Sequence, residues 1–446
     1  MFSRRNRRPK SAESRPNSPQ LIEAWESLDQ GDIPGALRSL RAHAEPLPPG
    51  EVAVVVARAA REAGFDDLHT AATALAARPD RAQELYSYGY ACVERGVSYL
   101  AIPALRAALD LAPDSGAALR ELVSAYEREG RHPEAADVLG ARESALNPWP
   151  DRYLLVYNAL MAGDLELARR QHALLPDPED EIWLGAQDRQ RHMLERAAAA
   201  EQATSLDLHD LRGWQFVMGG TVLGTLSPYG FDAGMTGRFA WLQDSHDLCL
   251  RGLLRLRTTL AAGEVRPRSV SLLPGRGSRI LGLAAAEVLD LPAVEFAADR
   301  QDTVVIAYDL DEVARADQGP ETIGQLLERT PGQVLHEHAS SWTDRPVVTA
   351  DSVTLLYQSV TAPWEGQLGQ GESGTLERGA PDDRPAEDVA AEIVAADPTP
   401  DEGDGGTPAD PDDRLADFVA AVRGTWLQGN RTGLRTSGPV RSSRFV

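Results

Sequence analysis

Five glycines recur along the first half of the chain, Gly31, Gly64, Gly96, Gly130 and Gly163, at spacings of 33, 32, 34 and 33 residues. Each lies between two stretches rich in Ala, Val, Leu and Arg, where one helix would stop and the next begin. Glycine takes the left-handed conformation that ends a helix without the steric cost of a Cβ atom. A period of this length belongs to a helix–turn–helix unit stacked on copies of itself. Past the glycine stands a small residue, Ala36, Ala101, Ala135 or Ala168, with His69 the exception. Leu40, Leu105 and Leu139 follow one helical turn later, while Ala24, Ala57 and Gly89 precede the glycine, where Val123 and Val156 break the rule. Small residues at fixed offsets let paired helices approach closely, and leucine fills the layer between them. The pattern predicts five helix pairs over residues 20–180, capped by one more helix from Ile182 to about Ala203.

These offsets resemble the tetratricopeptide repeat family, with the best copy running from Ala82 to Asp114 and closed by Pro113. The resemblance implies a solenoid whose first helices line a concave groove for an extended peptide or a helix. Carried over residue by residue, it puts Tyr86, Tyr90, Arg120, Ser124, Arg128, Tyr153 and Tyr157 on that face. Tyrosine offers large contact area at small entropic cost, and arginine binds carboxylates in a forked geometry. The other reading of these tyrosines is packing between repeats. The carboxylate-clamp subgroup also uses lysine, which this groove lacks, so binding of chaperone tails is not carried over.

Composition narrows the classes. A chain of 446 residues has room for two to three domains. The net charge of −22 argues against nucleic acid as the main ligand. No apolar run approaches the roughly 20 residues that span a bilayer. The opening MFSRRNRRPK is basic and is followed by polar sequence rather than the apolar core of a secretory signal. Residues 1–19 are therefore expected to be a disordered arm, and the protein cytoplasmic. Cys92 and Cys249 are too few and too far apart for a thiolate zinc site or a disulfide framework, and read as small buried apolar residues. Lys10 is the only lysine among 45 basic residues, which points to a GC-rich bacterial genome. It also excludes a lysine-bearing phosphate loop, a kinase strand lysine and a pyridoxal Schiff base.

From Leu206 to Trp364 short apolar runs alternate with helical stretches. The runs are Trp214–Met218, Ser269–Leu273, Ala293–Ala297, Thr303–Tyr308 and Gln333–His336, and the helices Gly237–Ala262, Ser278–Leu289 and Glu321–Arg329. That alternation predicts an α/β domain over 206–364 with a mainly parallel sheet. Residues 365–413 are rich in Gly, Pro, Asp and Glu, and are expected to form a disordered acidic linker. Beyond it, Leu415, Phe418, Val419, Val422 and Trp426 form one apolar stripe, followed by Arg431, Arg435, Arg441 and Arg444. This short helix and basic tail, within 414–446, either dock on the solenoid or a partner, or pack back on the second domain.

The segment from Ser269 to Pro292 reads as a strand, a tight Gly275-Arg276-Gly277 turn and a helix opening at Ser278. Free N–H groups at a helix start, beside Arg276, suit a phosphate or carboxylate. The segment resembles the pyrophosphate-loop unit of phosphoribosyltransferases, an α/β fold of Rossmann-like type. The resemblance implies that Gly275, Arg276, Gly277 and Ser278 hold pyrophosphate, and that Asp309 and Asp311 hold the donor's ribose with Mg²⁺ nearby. It departs where the 5′-phosphate would sit, since Glu312-Val-Ala-Arg-Ala-Asp-Gln-Gly319 is acidic and lacks hydroxyls. Two functional readings follow. One is an adaptor that binds a protein or peptide, with a noncatalytic or ligand-sensing second domain and no cofactor. The other is a phosphoribosyl or related transferase that uses Mg²⁺, with the solenoid recruiting a protein substrate. His336-Glu337-His338 is read as two exposed histidines at a strand end, and no metal site is assigned. Asp244, Ser245, His246 and Asp247 are read as lying within one helix, where neighbours do not face one another.

Overall fold

The computed structural model describes residues 16, 18–344, 348–370, 375–432, 434 and 436–442. The basic arm thus lies almost wholly outside the described residues, as do Arg435 and Arg444 of the tail. The chain forms two compact units, residues 1–162 with 170–176, and residues 163–169 with 177–446.

Helices come in pairs: α1 (Pro19–Asp29) with α2 (Ile33–His43), α3 (Pro49–Ala63) with α4 (Asp66–Ala77), and α5 (Ala82–Glu94) with α6 (Ser98–Leu111). Next come α7 (Gly116–Arg128) with α8 (His132–Gly140), then α9 (Tyr153–Ala162) and α10 (Leu165–His172). All five spaced glycines take the left-handed conformation, with φ between +67° and +82°. In four of the turns the residue after the glycine donates its N–H back to the preceding helix: Asp32 to Ser27, Phe65 to Ala60, Val97 to Cys92 and Arg131 to Tyr126, at 2.8–3.0 Å. Those bonds satisfy carbonyls that the helix end would leave unpaired. Ala36, Ala101, Ala135, Ala168, Leu40, Leu105 and Leu139 are all buried. His69, the exception among the small residues, places Nδ1 2.8 Å from the Ala57 carbonyl oxygen and so satisfies its polar edge.

The second unit is built on one sheet in the order β1-β7-β6-β5-β3-β4, every paired strand parallel. Its strands are β1 (Val222–Leu223), β2 (Phe239–Gln243), β3 (Ser269–Leu272), β4 (Ala293–Glu295), β5 (Thr303–Ala307), β6 (Val334–Ser341) and β7 (Ser352–Thr361). β1 and β2 lie in succession along the same edge of β7. Both β5 and β6 are buried throughout, as expected of parallel strands covered on both faces. Helices α11 (Leu184–Ala200), α12 (Leu211–Gly219), α13 (His246–Ala262), α14 (Arg276–Leu289), α15 (Leu310–Arg315), α16 (Gly319–Leu326), α17 (Ala386–Val394) and α18 (Asp412–Val422) complete the unit. A short antiparallel pair, β8 (Leu368–Gln370) and β9 (Leu376–Arg378), lies apart from the main sheet.

Four expectations are corrected. Helix α11, assigned to the solenoid as a cap, belongs to the second unit and packs on α12 and α18. The run Trp214–Met218 is helical rather than a strand: the Asp210 carboxylate caps α12 through the Gly213 N–H at 2.9 Å, and Gly220 ends it at φ +75°. The stretch from Gly237 is not helical throughout, because β2 precedes the Ser245 cap of α13.

The fourth correction concerns residues 365–413, which are not a structureless linker. Val389, Ala390 and Ile393 of α17 are buried, and the helix packs on α13 and α14. Carboxylates in the segment pair with arginines of the unit. Asp410 meets Arg212 at 2.8 Å and the buried Arg255 at 2.5 Å. Of the two readings left open for the last helix, α18 packs back on the second unit, burying the whole stripe with Trp426. Arg431 of the basic tail is buried against Asp351 at 3.0 Å. Among the described residues, no helix is long and apolar enough to cross a membrane.

Candidate functional site

In the first unit, α5 and α7 bring together part of the expected face. Tyr86 and Tyr90 lie one turn apart on α5, their rings 6.3 Å from centroid to centroid, and Tyr90 is 47% exposed. Burial, then the charge of Glu121, raises the Tyr86 phenol above its ordinary value, and Arg120 acts on it in the opposite sense. Glu121, which the sequence reading did not include, is itself raised by burial and by Glu94. Arg120 donates to Asp151 at 3.0 Å, and Arg128 to the Val93 carbonyl oxygen at 3.0 Å, so both guanidiniums are anchored at one edge. Ser124 is half-buried. On α9 the tyrosines sit in a second group: Tyr153 stacks on Trp149 at 5.5 Å, and Tyr157 meets the edge of His132 at 6.0 Å. His132 in turn contacts Asn158 at 2.9 Å, and Asn158 donates to Glu127 at 2.7 Å.

In the second unit, the Gly275-Arg276-Gly277 turn follows the carboxyl end of β3, and Asp309 follows that of β5. The chain runs outward from β3 to β4 and then returns to the other side of β3 as β5. Ligands of open parallel sheets bind in the crevice that opens at such a reversal. Here the turn is filled from within. The Gly277 N–H donates to Glu312 Oε1 at 2.9 Å, a bond that holds down a carboxyl raised overall by burial. A Cβ on Gly277 would stand 2.6 Å from Glu312 Oε2 and 3.0 Å from Trp364, so glycine is what admits this carboxylate. Gly275, at φ +102°, supplies the bend. Arg276 donates to the backbone carbonyls of Asp382 and Arg384, at 2.6 and 2.7 Å. The buried Ser278 hydroxyl accepts the Tyr308 N–H at 3.1 Å.

The Asp309 carboxylate is also engaged. Asp309 caps α15 through the Asp311 N–H at 2.7 Å and accepts the Tyr357 hydroxyl at 2.7 Å. Burial raises the Asp309 carboxyl, and burial together with Asp309 pushes the Tyr357 phenol up. The Asp311 carbonyl accepts from Arg315 Nε at 2.8 Å. A donor sugar and Mg²⁺ would have to compete with the bonds of Asp309. Glu312, Tyr357 and Trp364 escaped the sequence reading, though the acid directly after Asp311 was visible as an unexpected charge.

His336 and His338 are fully buried in β6 rather than exposed at its end, because β6 lies between β5 and β7. His336 meets Ser352 and Thr354, at 3.2 and 3.3 Å. Asp244 directly follows β2 instead of lying in the helix, and Ser245 caps α13 by accepting the Leu248 N–H at 3.1 Å. No protein-family model matches this chain, and no curated protein is similar to it.

Proposed function

We propose that the chain is an adaptor. The first unit acts as a tetratricopeptide-type scaffold that holds a protein or peptide along Tyr86, Tyr90 and Arg120. The observation that carries this reading is the left-handed glycine turn, which recurs between successive helices at five places. It leaves an aromatic and charged strip on α5 and α7. The second unit, phosphoribosyltransferase-like in its strand–turn–helix order, senses or stabilises rather than catalyses. Glu312 supports that half of the reading, since a carboxylate stands where a pyrophosphate oxygen would need the Gly277 N–H.

The test is affinity capture of the partner from the native host with the full chain and its Tyr90→Ala and Tyr157→Ala variants. An anchor tyrosine carries about 2 kcal/mol or more of binding, roughly a thirtyfold loss in affinity on truncation, with little change in melting temperature. Retained capture with a large loss of stability would make these packing residues. The position of the turn at the sheet's reversal point favours one alternative, a transferase with Arg276, Gly277 and Ser278 on pyrophosphate and Asp309 and Asp311 on ribose and Mg²⁺. Magnesium-dependent consumption of phosphoribosyl pyrophosphate would establish it; the adaptor reading expects none.

A further inference from the structure

Away from both surfaces, three side chains of different chemistry converge inside the second unit. Asp244 comes from the residue after β2, Cys249 from the first turns of α13 and His338 from the middle of β6. All are buried, with exposures of 4%, 0% and 0%. Asp244 Oδ1 accepts the Ser245 N–H at 2.8 Å, which turns Oδ2 inward. From Oδ2 it is 3.1 Å to His338 Nε2 and 3.6 Å to Cys249 Sγ, and Sγ lies 3.8 Å from Nε2. We propose that these three atoms are a binding site for one divalent transition-metal ion of the zinc class.

The spacing is that of a coordination shell. A tetrahedral zinc ion with bonds of about 2.0–2.1 Å to N and O and about 2.3 Å to S sets N···O near 3.3 Å and the S edges near 3.5 Å. The observed triangle lies within a few tenths of an ångström of that figure. Charge agrees as well. A dication with one carboxylate, one thiolate and one neutral imidazole sums to zero, the arrangement least costly to bury. Without a cation, burial and then the Asp244 charge push the Cys249 thiol well up, so it is protonated. Binding therefore releases one proton, from the thiol to solvent, as the metal–sulfur bond forms. Asp244 Oδ2 accepts the His338 Nε2 proton in the metal-free protein, so binding moves that proton to Nδ1, which no hydrogen bond holds among the described residues.

The same residues do not make a nucleophilic Cys–His–Asp triad. Such a triad needs the acid and the sulfur on opposite ring nitrogens, whereas both approach Nε2 here. Tyr308 completes the surroundings: its hydroxyl donates to Asp244 Oδ2 at 2.8 Å, and its ring lies over His338 at 5.4 Å and against Trp364 at 4.8 Å. Tyr308 also donates its N–H to Ser278, so a metal here would brace the floor of the Gly275–Ser278 turn.

The test uses the full chain, stripped with chelator and then loaded with Zn²⁺ or Co²⁺ alone. Zinc content after gel filtration should be about one per chain. The cobalt form should show thiolate-to-metal charge transfer, lost in Cys249→Ser and kept in Cys92→Ser. His338→Gln should weaken zinc binding at least tenfold. Wild-type protein that holds no zinc after loading, or a cobalt–thiolate band that survives Cys249→Ser, would overturn the proposal.

Discussion

The close approach of α5 to α6 gives a test whose sign is informative. Gly89 on α5 faces Leu105 on α6, and a Cβ at position 89 would stand 2.4 Å from Leu105 Cγ and 2.6 Å from Cδ2. Both residues are buried. In an exposed helix, Gly89→Ala would stabilise by about 1 kcal/mol through backbone entropy. Here the added methyl must displace a packed leucine, an overpacking cost of about 1–3 kcal/mol. The net expectation is a loss of up to about 2 kcal/mol. Leu105→Ala alone should cost about 2–5 kcal/mol. In the double variant the new methyl enters space the leucine has left, so the two losses should fall short of additivity by about 1–2 kcal/mol. Gly96→Ala is the control: at φ +73°, with nothing within 4 Å, it pays only the left-handed penalty, whatever stands at 105. Urea unfolding by circular dichroism, with hydrogen exchange on α5 and α6 to localise the effect, measures the cycle. A Gly89→Ala that stabilises by the full helix-propensity gain of about 1 kcal/mol, or strict additivity with Leu105→Ala, would refute the close-packing argument.

Asp410→Ala removes the carboxylate shared by Arg212 and the buried Arg255, while Arg255 keeps Asp412 at 3.0 Å and the Gly224 carbonyl, and should destabilise the second unit by about 1–3 kcal/mol in chemical unfolding. Burial lowers the His132 pKa, so the folded state favours the neutral ring. Stability held above the ordinary imidazole value, about 6.5, should therefore fall as pH drops through it, and His132→Gln should flatten that slope relative to wild type. Glu312→Ala should free the Gly277 N–H and tighten pyrophosphate binding at least tenfold by calorimetry, with Arg276→Ala having little effect while its guanidinium stays on the 382–384 backbone.

The helix pairs were legible because their signals are local. A glycine that must take positive φ, and an alanine that must let a neighbour approach, are each decided within one turn of chain. β5 was equally legible, since Thr-Val-Val-Ile-Ala is a β-branched run buried on both faces. α12 was misread for a related reason. Its residues Leu211–Met218 are buried on every side, so no apolar period separates helix from strand, and only Asp210 and Gly220 mark its ends. The acidic segment was misjudged because composition counts apolar area. What orders it, beyond α17, is carboxylate pairing to Arg212 and Arg255, residues about 155 to 198 positions earlier. Asp244 and His338 stand 94 residues apart, and only the parallel register of β2, β7 and β6 brings them together. Glu312 was visible as a charge where a phosphate loop needs hydroxyls, but its bond to Gly277 depends on how α15 turns back.

The central claim is that α5 and α7 carry the partner-binding face. Its most direct test is hydrogen exchange on the full chain, alone and with the captured partner bound. The account predicts slowed exchange and surface protection in residues 82–94 and 116–128, diminished in Tyr90→Ala. Protection confined to α6 and α8, or to the second unit alone, would contradict it.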